Sequence, residues 1–425
     1  MPSSRLLPTA FLLLAVCYAA SPAFAEKTTF TLTCVASDIP TPVSVEYIPE
    51  EGQDVTRLGV SEVVLSATPS LSTSTIPAQW DLSGGARLWW ILPPGPAGIR
   101  TFRLVELDEP ASTPFTMESE PETQPGWQRR SYTLKENDIP ILRYNFGDIP
   151  MPPGREPHHF ADGRPYGGPR SDYIHPLYGF EGEEITEDYP EHPHHRGVWW
   201  SWPVVRWGER TADIWAVCDV WARPRLIGDL NIGPVFVLLQ AQNKWRFGAE
   251  EQHPIMGETV LIRVFASTVT KEGNRQRLID VDVSLCAHEE DVAIGGRPGG
   301  GYGGFALRAL PAENQTITPF VEDPEEVDDR SPRAWCDYAA DFSGSKKRTS
   351  FVLLQHKDNP GFPTEHLIYP NLNCFMPAFP GDQEYAVDTL ENADPLNLRH
   401  RILLQEGTPM QQSLEQAWDA YNQTH

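Results

Sequence analysis

The chain has 425 residues and a formal net charge of −24, with 40% apolar and 22% charged residues. That balance excludes a disordered polymer and leaves enough material for a sizeable core. So acidic a protein repels phosphate backbones and anionic lipid, so neither nucleic acid nor a membrane surface is an expected partner.

The first segment reads as a targeting signal over residues 1–25. Arg5 supplies the positive start, Ala10 to Ala20 is a short apolar core, and Ala23-Phe24-Ala25 offers small-x-small cleavage before Glu26. This core is shorter than the roughly 20 residues that a spanning helix needs, and no later stretch is long and apolar enough to cross a membrane. The expected location is therefore secreted or periplasmic. Cleavage would remove Arg5 and no acid, moving the charge from −24 to −25. Cys17 would leave with the signal. Cys34, Cys218, Cys286, Cys336 and Cys374 remain without a CxxC pair, which disfavours a cysteine zinc site and allows a disulfide or two.

Thirteen Trp, 13 Tyr and 18 Phe, with 41 Pro and 32 Gly, suit many short strands joined by tight turns. The expected fold is all-β: a large antiparallel β-sandwich preceded by a small Ig-like β module, with one C-terminal helix. Residues 26–107 form the module, since Phe30, Leu32 and Cys34, then Val43, Val45 and Tyr47, repeat at period two. Leu88 to Leu92 reads as a buried strand closed by Pro93-Pro94-Gly95. Residues 108–130, acidic and carrying Pro110, Pro114, Pro121 and Pro125, read as a linker. The main domain then runs over 131–425. Its predicted strands are Ile139–Phe146, Val198–Val205, Asp213–Val220, Val235–Gln242, Glu258–Ser267, Leu278–Cys286, Phe305–Ala309, Ser350–Gln355 and Arg399–Gln405. Between the first two lies a long Gly/Pro-rich irregular segment, 147–169, of a length that compact domains reserve for function. At the end, Thr408 as N-cap, Pro409 and Gln411 predict a capping box, and Leu414, Ala417, Trp418 and Tyr421 form one apolar stripe.

Six of the 12 histidines lie between His158 and His195. The densest block is TEDYPEHPHHRGVWW, from Thr186 to Trp200. If it is extended, His192 and His194 share a face and His195 takes the other. Two imidazoles on one side of a strand make half of a site for a divalent metal ion, or they bind sugar hydroxyls and move protons near neutral pH. Upstream, Arg170 is suited to an oxyanion or carboxylate and His175 to the same cavity. Glu187 and Asp188 are candidate acid/base groups. Trp199, Trp200 and Trp202 offer ring-stacking surface. The run Gly299 to Gly304 lacks the Lys-Ser/Thr of a phosphate loop, and is read as letting Tyr302 and Arg308 approach the site. His356 and Asn359 end a strand and are candidate substrate contacts.

These segments also carry a resemblance. Arg143-Tyr144-Asn145, Arg170 to Pro176 (RSDYIHP), the His-rich block, Gly300 to Arg308 (GGYGGFALR), Arg333 to Tyr338 and His356 to Pro363 together resemble the exported bacterial family named methane oxygenase PmoA, over about residues 130–405. The chain departs from its pattern with Asp172 in place of Gly and with Phe146 after Tyr144-Asn145 where His is common. The name implies a copper or iron oxygenase with His192 and His194 as ligands. The company such relatives keep implies glycan degradation. The leading expectation is an exported carbohydrate-active enzyme, a hydrolase or lyase on a glycoside or oxidised sugar, with a small-molecule or oligosaccharide partner. Its catalytic residues would be His175, His192, His194 and His195, supported by Arg170, Glu187 and Asp188. The rivals are the metal-dependent oxygenase and a non-catalytic glycan-binding protein.

Overall fold

The computed structural model describes residues 28–64, 70–120, 131–151, 156–188, 191–248, 250–320, 332–389 and 395–423. The signal segment read at 1–25 lies outside them. Antiparallel strands dominate throughout, and the one α-helix among the described residues is C-terminal.

The N-terminal module packs a four-stranded sheet on a three-stranded one. Its core is Phe30, Val43, Leu58, Val60, Leu88, Trp90 and Phe102, so the predicted period-two residues do face inward. Trp89, the neighbour of Trp90, points the other way and packs on Phe236 and Phe265 of the main domain. Gln79 accepts the N–H groups of Val235 and Phe236 and Arg263 pairs with Asp81, so the module is docked firmly. The linker expectation is corrected in part. Phe115–Glu120 is a strand that pairs with Ser131–Glu136, because Phe115 and Met117 alternate with polar residues and reach the main core.

The main domain is a sandwich of an eight-stranded and a nine-stranded sheet. The smaller one runs His366–Tyr369, Cys374–Pro377, Gly304–Arg308, Val198–Ser201, Tyr173–Leu177, Ile139–Asn145, Ser131–Glu136 and Phe115–Glu120. The larger is built on long hairpins such as Phe236–Phe247 with His253–Phe265, and Arg275–Ala287 with Leu396–Glu406. Ile174, Val198, Trp200, Phe305 and Leu307 meet Val237, Leu239, Val260, Ile262 and Ile402 between the sheets. Burying each such side chain contributes about 1.5–3 kcal/mol. The intervening residues Tyr173, Trp199 and Ala306 face outward, where Trp215, Cys374 and Met376 cover them as a second apolar cluster. This two-sided burial positions everything that follows.

Two predicted strands differ. Val198–Val205 breaks at Trp202-Pro203, where proline has no N–H for the ladder, and Val204–Trp207 joins a separate four-stranded sheet. Asp213–Val220 is a turn up to Asp219, closed by Cys218 N–H to Asp213 O, with Val217 held at φ +58°. The helix spans Gln411–Tyr421 with Met410 at its cap and no side-chain cap bond. The capping box does not form: Met410 and not Thr408 is the cap, and the Thr408 hydroxyl accepts from Arg348 Nε. The predicted stripe is otherwise right: Leu414, Ala417 and Tyr421 are buried and Trp418 packs on Phe362. No disulfide forms among Cys34, Cys218, Cys286, Cys336 and Cys374.

Candidate functional site

The His-rich block is a turn, not a strand. Pro193, next to His192, cannot donate to a ladder. The chain therefore closes through His195 N–H to His192 O, while Asp188 pairs with Arg196 and Gly197 N–H bonds Glu187 O at the base. All three imidazoles consequently gather on one side, on the outer face of the eight-stranded sheet. Ring centroids lie 5.1 Å apart for His192 and His195, 4.4 Å for His194 and His195, and 5.9 Å for His192 and His194. His195 is stacked between His192 and Trp199, at 16° and 21° respectively. Gly197 (φ +65°) makes the base possible, because a Cβ there would lie 2.3 Å from Ile174 O.

Behind the rings, Arg308 bridges two partners. Its guanidinium donates to His195 Nδ1 at 2.8 Å and to Glu187 Oε2 at 3.1 Å. Arginine only donates, so Nδ1 is the acceptor and the proton of neutral His195 sits on Nε2. Burial pushes His194 down to about 3, with Arg170 next in effect, and holds His195 well below the usual range, with His194 next. Burial and then Arg308 lower His192 as well. The cluster is therefore uncharged at neutral pH. His192 and His194 are half-buried and reach solvent, whereas His195 is 7% exposed.

The outer wall includes residues that sequence reasoning missed. Trp215, from the Asp213–Asp219 turn read as strand, lies 5.2 Å from Trp199, 5.7 Å from His195 and 5.2 Å from Tyr302. Tyr166, on the short hairpin of the irregular segment, packs 5.6 Å from His194. Tyr302 and Arg308 reach the site as expected. The neighbouring Asp213 carboxyl is raised to about 6 by burial, against the pull of the Ala216 N–H.

Other expectations are corrected. His175 sits at the base of the turn, with Nδ1 3.2 Å from Thr186 Oγ1, and not at its tip with the other rings. Asp188 is also at the base. Arg170 spends its terminal nitrogens on His194 O, Trp215 O and Ser201 Oγ, and so braces the turns. Trp200 and Trp202 lie in the sandwich core and Trp199 is fully buried, so none offers an open stacking surface. His356 and Asn359 belong elsewhere: His356 packs against Tyr421 of the helix and Asn359 clamps the Arg399 backbone. Among the described residues, no group of three or more His, Cys, Asp or Glu is arranged to hold an ion. The same residues contain no helix long and apolar enough to cross a membrane.

Fold and site together define an all-β sandwich protein with a histidine-bearing turn laid on the outer face of one sheet. The chain belongs to the family described as Family of unknown function (DUF6807), which matches residues 131–419. The match takes in the larger sheet, the smaller one apart from Phe115–Glu120, and the histidine turn. No curated protein and no solved structure matches the chain.

Proposed function

We propose that this protein is an exported carbohydrate-active enzyme, a hydrolase or lyase, working at the histidine turn. The observation that supports this reading is the gathering of His192, His194 and His195 in front of the Arg308–Glu187 pair, with Tyr166 and Tyr302 beside them. Neutral imidazoles and phenols suit sugar hydroxyls, which donate and accept hydrogen bonds together. An elimination removes the proton from the carbon beside a carboxylate as the leaving oxygen departs, and an inverting hydrolysis removes one from the attacking water while an acid protonates the leaving oxygen. His192, half-buried and uncharged, is the ring with access to do this. Arg308, not Arg170, is the cation behind it, and its charge opposes protonation of the rings.

The test is turnover of a panel of glycosides and uronic-acid oligosaccharides by the purified chain, followed by released reducing ends and by unsaturated products. Expected is activity that falls by about 10²-fold or more in His192→Ala, the usual contribution of a positioned base. Sugar binding without turnover would replace this reading with a glycan-binding protein. A copper- or iron-dependent oxidation of the same panel would restore the oxygenase that the family resemblance implies.

A further inference from the structure

Opposite the histidines, on the inner side of the same sheet, lies a pair of buried acids. Asp172, 3% exposed, comes from the residue before the strand Tyr173–Leu177, and Glu258, 2% exposed, from the inner face of the larger sheet. Tyr144 donates to Asp172 Oδ1 at 2.6 Å. Trp200 Nε1 donates to Asp172 Oδ2 at 3.0 Å and also to Glu258, while Trp245 Nε1 donates to the other Glu258 oxygen. Burial raises both carboxyl groups, and for Glu258 the nearness of Asp172 adds to it. Two like charges so close do not both ionise, so the pair keeps a proton at neutral pH.

Beside the pair is a cleft of about 20 Å³, the room of a single water molecule. Trp221 and Arg223 stand half-exposed at its mouth. Arg170 also lines it. That residue is 5% exposed, and its Nε finds no hydrogen-bond partner among the described residues. An orphaned buried donor costs about 1–3 kcal/mol and calls for an acceptor. Arg223 does not compete for that role, since Asp148 and Glu251 already hold it.

We propose that this cleft binds one hydroxyl group of a sugar or other polyol, whose ring lies against Trp221 at the mouth. A hydroxyl has the size of the water it replaces. It donates to a carboxylate oxygen of the acid pair and accepts from Arg170 Nε, which satisfies both sides. The remainder of the ligand is too large to enter and meets an indole face, the surface on which sugar rings pack. The cleft opens at Trp221 and not at the imidazoles, although Arg170 and the 213–219 turn touch both places.

Titration of the full chain with D-glucose, D-galactose and myo-inositol, followed by tryptophan fluorescence, tests this, because Trp200, Trp221 and Trp245 line the cleft. Expected is a saturable change with at least one of the three. Trp221→Ala is expected to weaken it about tenfold and Glu258→Gln to weaken it further. No saturable change with any probe overturns the proposal, as does one that survives Trp221→Ala. Loss in His192→Ala at unchanged response to Trp221→Ala moves the signal to the histidine face and overturns it too. Trp221→Ala, at the rim, keeps the test decisive if Glu258→Gln does not fold.

Discussion

Trp199 and Trp200 are neighbours in sequence and equally buried, yet they serve opposite faces of one sheet. Trp199 lies under His195 and Trp215, and its indole N–H has no acceptor among the described residues. Trp200 faces the sandwich interior, where its N–H bridges Asp172 and Glu258. The outer face keeps its imidazoles uncharged by burying them beside arginines. The inner face does so by letting two acids share a proton. The difference teaches that burial selects neutral forms, and that the kind of side chain decides whether protons are shed or kept.

The largest expected effects come from breaking one buried partner on either side. Trp200→Ala is expected to cost about 3–5 kcal/mol in urea unfolding, since it leaves a cavity and two acids short of a donor. Arg308→Met on the outer side should cost a similar ~3–5 kcal/mol by leaving Glu187 unpaired, and Glu187→Gln in the same chain should recover part of it. A finer contrast uses one substitution on both faces. Trp200→Phe is expected to cost about 1–3 kcal/mol more than Trp199→Phe, because only the former removes a satisfied bond. Equal costs would mean that the two indoles play the same part.

The pH dependence sharpens the comparison. The folded chain holds His194 down to about 3 against an ordinary value of 6.5, so only the unfolded chain gains this proton as pH falls between those values. Stability is therefore lost as pH drops through 6.5 toward 3, by at most about 1.4 kcal/mol per pH unit. Asp213, raised to about 6, works in the reverse sense, being protonated earlier in the folded chain. His194→Asn should accordingly flatten the acid-side decline relative to the parent in urea midpoints between pH 6 and pH 4. The smallest effect is at the helix: Thr408→Ala should change stability by less than about 0.5 kcal/mol, as its hydroxyl caps nothing. A loss near ~1 kcal/mol would restore the capping box.

The alternation of Phe30, Val43 and Val45, and of the long hairpin strands, was legible because half-buried strands write their burial at period two. The histidine turn was legible as a cluster but not in shape. Period-two reasoning separates His194 from His195, whereas the turn at Pro193, closed by His195 N–H to His192 O, unites them. Trp215 was hidden inside a segment apolar enough to pass as a strand, and only its backbone closure through Asp213 and Cys218 distinguishes it. The Asp172–Glu258 pair could not be read at all, since its members come from different sheets. Asp172 sits at φ +65°, a conformation that glycine adopts freely.

The unpaired thiols carry a practical consequence. Cys374 is fully buried and its thiol is pushed up to about 12, while Cys336 lies in the main core with its thiol raised still more strongly by burial. A thiolate is the form that reacts, so alkylating reagents at neutral pH can label these two only when the sandwich opens. The protein thus carries its own clock for opening, one hand set in each sheet, readable by mass spectrometry without any engineered probe.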